Sequence, residues 1–138
     1  EHPQHRNDWV LTPHPGEAAR LLGVSVAEVQ ADRLSTVKAL QSRYGGAIVL
    51  KGHGTLIAGE QSVPFVVNGG NPGMATAGMG DVLTGVVAAI LGQTGGLQVP
   101  AAAAAYAHAL AGDKAATEGE RGMLASDLLP YLRSVLNP

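Results

Sequence analysis

The residues best suited to chemistry gather in one stretch, NGGNPGMATAGMGDVLTG at positions 68–85, where glycines crowd ahead of a single acid, Asp81. Glycine adopts positive φ and lets another group come close to the backbone. A helix whose first amides emerge from such a loop favours an anion, because its unpaired N–H groups and its dipole both attract negative charge. Phosphate is the obvious ligand, with Gly78 and Gly80 at the turn. Asp81 would be repelled by a bound phosphate unless a proton, a metal or a lysine compensates, so its placement suggests a base. The plain alternative is that Asp81 caps the helix, since aspartate is a preferred N-cap residue.

Two further groups carry suitable side chains. Lys51 ends the apolar run AIVLKG and opens KGHGT, residues 51–55. A lysine there either snorkels to water or meets an anionic ligand. Gly52, His53, Gly54 and Thr55 would let backbone wrap a nucleotide, although a hairpin also wants Gly-x-Gly. Earlier, His14 and Glu17 follow a strand-like run, in the kind of loop where α/β sheets bind ligands. A histidine facing substrate and a carboxylate near phosphate or magnesium is one reading; a surface histidine and a first-turn glutamate helped by the dipole is the other.

These groups need elements to hold them. Trp9 to Thr12 reads as a strand stopped by Pro13 and Pro15, with a helix over Glu17 to Leu22. Ser25 and Glu28 form a capping box that opens a helix running to Tyr44, where Gly45 and Gly46 stop it. Ala47 to Gly52 is a buried-type strand. Thr55 to Ala58 and Val63 to Val67 are two more strands joined by GEQS, giving two hairpin-like connections. Asp81 to Gln93 reads as a buried helix with little polar surface. An alanine-rich helix follows over Ala101 to Thr117, where His108 is expected to be a packed or capping residue rather than a ligand. Ser126 can cap a short last helix through Leu136.

Composition narrows the functional classes. The 138 residues are 46% hydrophobic, enough for the core of one compact domain. With 14% charged residues, a net charge of −2 and 4% aromatics, nothing suggests a nucleic-acid or membrane-surface binder. No cysteine is present, which removes disulfides, thiolate metal sites and cysteine nucleophiles. No stretch approaches the roughly 20 apolar residues of a membrane span, and a cytoplasmic setting is expected. The chain begins at Glu1, just ahead of a strand, and reads as part of something longer.

Taken together, LTPHPGEAARLLG (11–23), VLKGHGTLIA (49–58), NGGNPGMATAGMGDVLTG (68–85), AHALAGDKAA (107–116) and MLASDLL (123–129) resemble the second half of the NAD(P)H-hydrate dehydratases, members of the ribokinase-like superfamily. The resemblance implies a three-layer α/β/α sandwich, represented by its second half only, with a mostly parallel sheet and a short antiparallel hairpin region. Residues 1–138 would be the C-terminal part of one domain, and the N-terminal part, which supplies more strands and a glycine-rich face for the substrate, would come from another segment. A homo-oligomer is compatible with this.

By that resemblance, ADP or ATP drives dehydration of hydrated NADH or NADPH, releasing NAD(P)H, phosphate and AMP or ADP. Lys51, Gly52, His53, Gly54 and Thr55 would line the nucleotide, with Gly78 and Gly80 at its phosphates. His14 and Asp81 would face the hydrated dinucleotide, with Asp81 as the base. Glu17 matches the acid of an Asn-x-x-Glu element that supports magnesium in related kinases, with His14 standing where those kinases have asparagine. Two other readings remain: a kinase of the same fold acting on a vitamin-precursor alcohol, and a nucleotide-binding fragment without catalysis. A dinucleotide-binding oxidoreductase is weaker, because the glycines do not follow a first strand as Gly-x-Gly-x-x-Gly.

Overall fold

The computed structural model describes residues 4–61 and 63–137. Four strands form one sheet in the order β1 (Val10–Leu11), β2 (Ala47–Leu50), β3 (Thr55–Ala58), β4 (Phe65–Val67). β1 runs parallel to β2, with Val10 opposite Ala47, whereas β2–β3 and β3–β4 are antiparallel. The sheet is therefore mixed, and among the described residues the parallel part is the single β1–β2 pairing. Both expected hairpin connections are present. β4 is shorter than the expected Val63 to Val67 run because Pro64, with no N–H, precedes it, and Ser62 of the GEQS link lies outside the described residues.

Helices cover both faces. Alternate residues of β2 point to opposite sides. Ile48 and Leu50 pack with Val29, Val37 and Leu40 under α1 (Pro15–Leu22), α2 (Val26–Ala31) and α3 (Arg33–Tyr44). Val49 and Ile57 pack with Leu83, Ala104 and Leu128 under α4 (Met79–Thr94), α5 (Gln98–Ala116) and α6 (Leu129–Leu136). The result is a three-layer α/β/α arrangement. The alanines of α5 give that helix a thin profile, and Ala101, Ala104, Ala105, Ala107, Ala109, Ala111 and Ala115 are all buried.

Three expectations about helices need correction. The helix expected from Ser25 to Tyr44 is two helices. Asp32 adopts φ −144°, ends α2 and begins α3, its carboxylate accepting the Ser35 N–H at 2.9 Å; an aspartate cap in mid-run outcompetes continuation. The helix after Asp81 begins at Met79 and is buried on one face only: Leu83, Val86 and Val87 are covered, whereas Thr84, Gly85, Ala88, Ala89 and Gly92 are exposed. That outer face is made of small residues, so its low polarity reads as burial in the sequence. The last helix begins at Leu129, after a 3-10 turn over Ala125–Leu128 in which Asp127, not Ser126, takes the Leu124 N–H.

Candidate functional site

The sheet and the α4–α5 layer enclose a cavity of about 500 Å³. One wall is the loop between β2 and β3, contributing Lys51, Gly52, His53 and Thr55, and across from it lies Gly80 in the first turn of α4. The remaining wall is largely apolar, with Val67, Met74, Met79, Leu83, Ala105 and Ala109, together with His108. Gly54, Gly78, Asp81, His14 and Glu17 do not line this cavity.

The Lys51 loop is held by a residue that sequence reasoning passes over. Arg33 Nη2, reaching from α3, donates to the carbonyls of Leu50 (3.2 Å), Lys51 (3.4 Å) and Gly54 (3.2 Å). The Thr55 hydroxyl donates back to the Gly52 carbonyl at 3.0 Å, closing the turn. The loop is thus shaped from behind before any ligand is present. No local pattern around Arg33 announces this, since the three carbonyls come to it through tertiary packing.

The glycine-rich loop is tied down on the other side by α5. Asp113 accepts the Gly70 N–H at 3.0 Å through Oδ2 and the Asn71 amide at 3.0 Å through Oδ1. Asn71 also donates to the Gly112 carbonyl at 3.0 Å and accepts the Gly73 N–H at 3.1 Å. Every polar atom of the Asn71 side chain is therefore engaged.

At the start of α4 the N-cap is Gly78, at φ 85°, with no side chain to cap the helix. The Asp81 and Val82 amides each donate to the Gly78 carbonyl at 3.0 Å. The Gly80 amide has no partner among the described residues, and this is the residue of the turn that lines the cavity. Lys51 Nζ closes on it: a Cβ added at Gly80 would lie 2.7 Å from that ammonium nitrogen. A lysine ammonium thus lies against the first turn of a helix, at its positive end, an arrangement that favours an anion by both local charge and dipole. Asp81 occupies the third helical position, is exposed, and makes no capping hydrogen bond, so the capping alternative does not describe it.

His14 and Glu17 form a cluster beside this spot. His14 Nδ1 accepts the amides of Gly16 (3.0 Å) and Glu17 (3.3 Å), while Glu17 Oε2 accepts the His14 amide at 2.6 Å. Together they make a reciprocal capping box at the start of α1. Because Nδ1 accepts, neutral His14 carries its proton on Nε2. Glu17 Oε2 also lies 3.8 Å from Lys51 Nζ. Burial pushes the Glu17 carboxyl up, but the His14 amide and the charges of Lys51, His14 and Arg20 outweigh it and hold the group below the ordinary glutamate value. The cluster is linked to α4 from below, where the Thr84 hydroxyl donates to the Gly80 carbonyl at 2.9 Å and meets the Thr12 hydroxyl at 2.9 Å.

For a metal, the protein offers little by itself: among the described residues no three His, Asp or Glu side chains stand close enough to hold an ion. Magnesium, however, needs only one or two carboxylates when phosphates and water supply the other ligands. Glu17 fits that pattern, since Oε1 accepts no hydrogen bond among the described residues. Among the described residues no helix is long and apolar enough to cross a membrane.

Known proteins resemble this chain along nearly its whole length. A family profile described as NAD(P)H-hydrate dehydratase matches residues 1–134. The chain is 52% identical over 139 aligned residues to a bifunctional NAD(P)H-hydrate repair enzyme of Coxiella burnetii, covering 100% of this chain and 28% of that one. It is 44% identical to the ADP-dependent (S)-NAD(P)H-hydrate dehydratase of Neisseria meningitidis, covering 93% of this chain and 44% of the relative. Among solved structures, the ADP/ATP-dependent NAD(P)H-hydrate dehydratase of Bacillus subtilis, co-crystallised with ATP and Mg2+ and soaked with CoA, superposes with a TM-score of 0.84 at 30% identity, covering 96% of this chain and 52% of that one. A ribokinase-like superfamily protein of Enterococcus faecalis gives a TM-score of 0.72 at 34% identity, covering 94% of this chain and 45% of the other. The fold is ribokinase-like, and the chain spans about half the length of these structures and just over a quarter of the Coxiella burnetii relative.

Proposed function

The chain belongs to the NAD(P)H-hydrate dehydratase family, and from that premise we propose that it forms the C-terminal part of a cytoplasmic metabolite-repair domain that uses ADP or ATP to dehydrate hydrated NADH or NADPH. The observation that carries this reading is the approach of Lys51 Nζ to Gly80, whose amide has no partner among the described residues, where both line the cavity. The cavity takes the nucleoside, and the ammonium and amide take the phosphates. The loop from Lys51 through Gly52, His53, Gly54 and Thr55, together with Gly78 at the cap, shapes the nucleotide's surroundings.

The chemistry follows from the leaving-group problem. Hydroxide leaves poorly, so the substrate hydroxyl first becomes a phosphate ester. Asp81 accepts the hydroxyl proton as the oxygen bonds to the terminal phosphorus and the phosphorus–oxygen bond to the shortened nucleotide breaks. Lys51 and the Gly80 amide stabilise charge on the transferred group. The ring nitrogen lone pair then expels phosphate as the carbon–oxygen bond breaks, and loss of a proton from the neighbouring carbon restores the dihydropyridine. Magnesium bound with the nucleotide would neutralise phosphate charge, with Glu17 as its protein ligand. His14, through Nε2–H, would face the dinucleotide.

Asp81 is exposed beside the cavity rather than within it. That position suits a base whose substrate lies between this chain and the N-terminal part of the domain, which would also cover the small residues exposed on α4. A homo-oligomer is compatible with this arrangement. The test is recovery of absorbance at the reduced-nicotinamide wavelength when hydrated NADH and ADP are given to the complete domain. Consumption of nucleotide with a vitamin-precursor alcohol as phosphoryl acceptor, and no recovery with the hydrate, would favour the kinase reading instead.

A further inference from the structure

His108 is 7% exposed and projects from α5 into the apolar wall of the cavity. Its Nε2 lies 3.0 Å from the Met79 carbonyl. A carbonyl only accepts, so Nε2 carries the hydrogen, and in the neutral imidazole Nδ1 is then an acceptor. Burial disfavours the charged ring and lowers its pKa, although the hydrogen bond to Met79 works the other way. Nδ1 has no hydrogen-bond partner among the described residues, yet no enclosed side-chain nitrogen or oxygen there lacks one. Nδ1 is therefore open to the cavity that His108 lines.

The polar side chains of Lys51, His53 and Thr55 line the cavity from the β2–β3 side, apart from the α4–α5 layer that carries His108. Val67, Met74, Leu83, Ala105 and Ala109 are apolar, and the Asn71 amide is committed to Gly112, Asp113 and Gly73. An acceptor set among apolar side chains suits a ligand that is mostly apolar ring with one N–H donor on its edge. Resting on the nucleotide reading above, we infer that His108 is a specificity-determining residue whose Nδ1 accepts a hydrogen bond from the exocyclic amino group of the adenine base. A ligand without that donor leaves Nδ1 dry and unpaired, a penalty that a buried acceptor does not escape.

The test compares binding of ADP with that of purine riboside diphosphate, the same nucleotide without the amino group, to the complete domain by calorimetry. Wild-type protein is expected to prefer ADP by roughly tenfold. In His108→Phe, which keeps a flat ring but has no acceptor, the two should bind within about twofold of each other. Phe also loses the bond to Met79; any loosening of α4 lowers both affinities together, so the ratio remains the readout. His108→Leu repeats the measurement with a smaller side chain. A wild-type ratio near one, or a preference that survives in a folded variant, overturns the inference while leaving nucleotide binding intact. Wild-type protein that binds neither nucleotide overturns this inference and the nucleotide reading together.

Discussion

Two helix N-termini flank Lys51, and they are finished in opposite ways. At α1 the end is closed by its own side chains: His14 takes two amides and Glu17 takes a third. At α4 the end is left open, with glycine at the cap, no side-chain acceptor, and at Gly80, which lines the cavity, an amide without a partner among the described residues. Both ends carry the same positive dipole. The difference lies in what has already neutralised it. A capped end has spent its donors on the fold, whereas an end with glycine at the cap beside a cation is held ready for a ligand, at a cost in intrinsic helix stability of only about a few tenths of a kcal/mol relative to a good cap.

The sharpest way to break this contrast is at Asp81. If the open end serves chemistry, Asp81→Asn should lower turnover by about 10²–10⁴-fold, the range for loss of a general base. Stability should move by less than about 0.5 kcal/mol, because the side chain is exposed and caps nothing. Steady-state rates and denaturant unfolding of the complete domain measure the two quantities. Full turnover in the variant would remove Asp81 from the mechanism, and a large loss of stability would show the α4 end to be as structural as the α1 end.

The α1 end should answer in the opposite currency. His14→Ala removes the acceptor for the Gly16 and Glu17 amides and should cost about 1 kcal/mol of stability. His14→Asn supplies a side chain that caps at least as well, so it should restore the stability without restoring any contact made by Nε2. A raised KM for the hydrate that persists in His14→Asn would separate substrate binding from capping. If His14→Asn rescues both, His14 is only a cap. The exchange of histidine for the asparagine expected in related kinases thus has a physical basis, since both side chains can fill an N-cap.

What could be read in advance follows from how local each cause is. The Ser25–Glu28 capping box is a four-residue pattern and is present as expected, with the Glu28 amide on Ser25 Oγ at 3.2 Å. The Lys51 loop and Gly80 could be picked out because glycine and lysine are conspicuous at strand and helix ends, and the cavity brings them together. The break at Asp32 was also local, but an aspartate three residues before Ser35 competes with an unbroken apolar pattern, and the pattern is the louder signal. The roles of Arg33 and Asp113 were not legible at all: each acts on groups 17 to 43 residues away in sequence. The exposure of Ala88 and Gly92 on α4 was hidden for another reason, since small apolar residues look the same in a sequence whether a neighbour covers them or not. His108 was expected to be a packed or capping residue, and its burial and bond to Met79 fit a packed one; the second ring nitrogen becomes informative only once the cavity wall is known.

The smallest effect concerns the charge that locks the α1 end against Lys51. The folded-state pKa of Glu17 is depressed, so folding favours the carboxylate. Its contribution is complete above the unfolded value of about 4.3 and is lost as pH falls through the lower folded value. Glu17→Gln removes the charge at every pH. The stability gap between wild type and Glu17→Gln should therefore be open at neutral pH and close on acidification, followed by unfolding midpoints between about pH 7 and pH 3. Its size should stay below about 1 kcal/mol, because the carboxylate is 41% exposed and solvent screens it. The α4 end has no such internal lock, so an added polyphosphate anion should stabilise the domain through Gly80 and Lys51, with Glu17→Gln strengthening that response by leaving Lys51 without its competing partner. A response that weakens in Glu17→Gln would mean that the carboxylate positions the lysine for the anion instead of competing for it, and the two helix ends would then be one device rather than two.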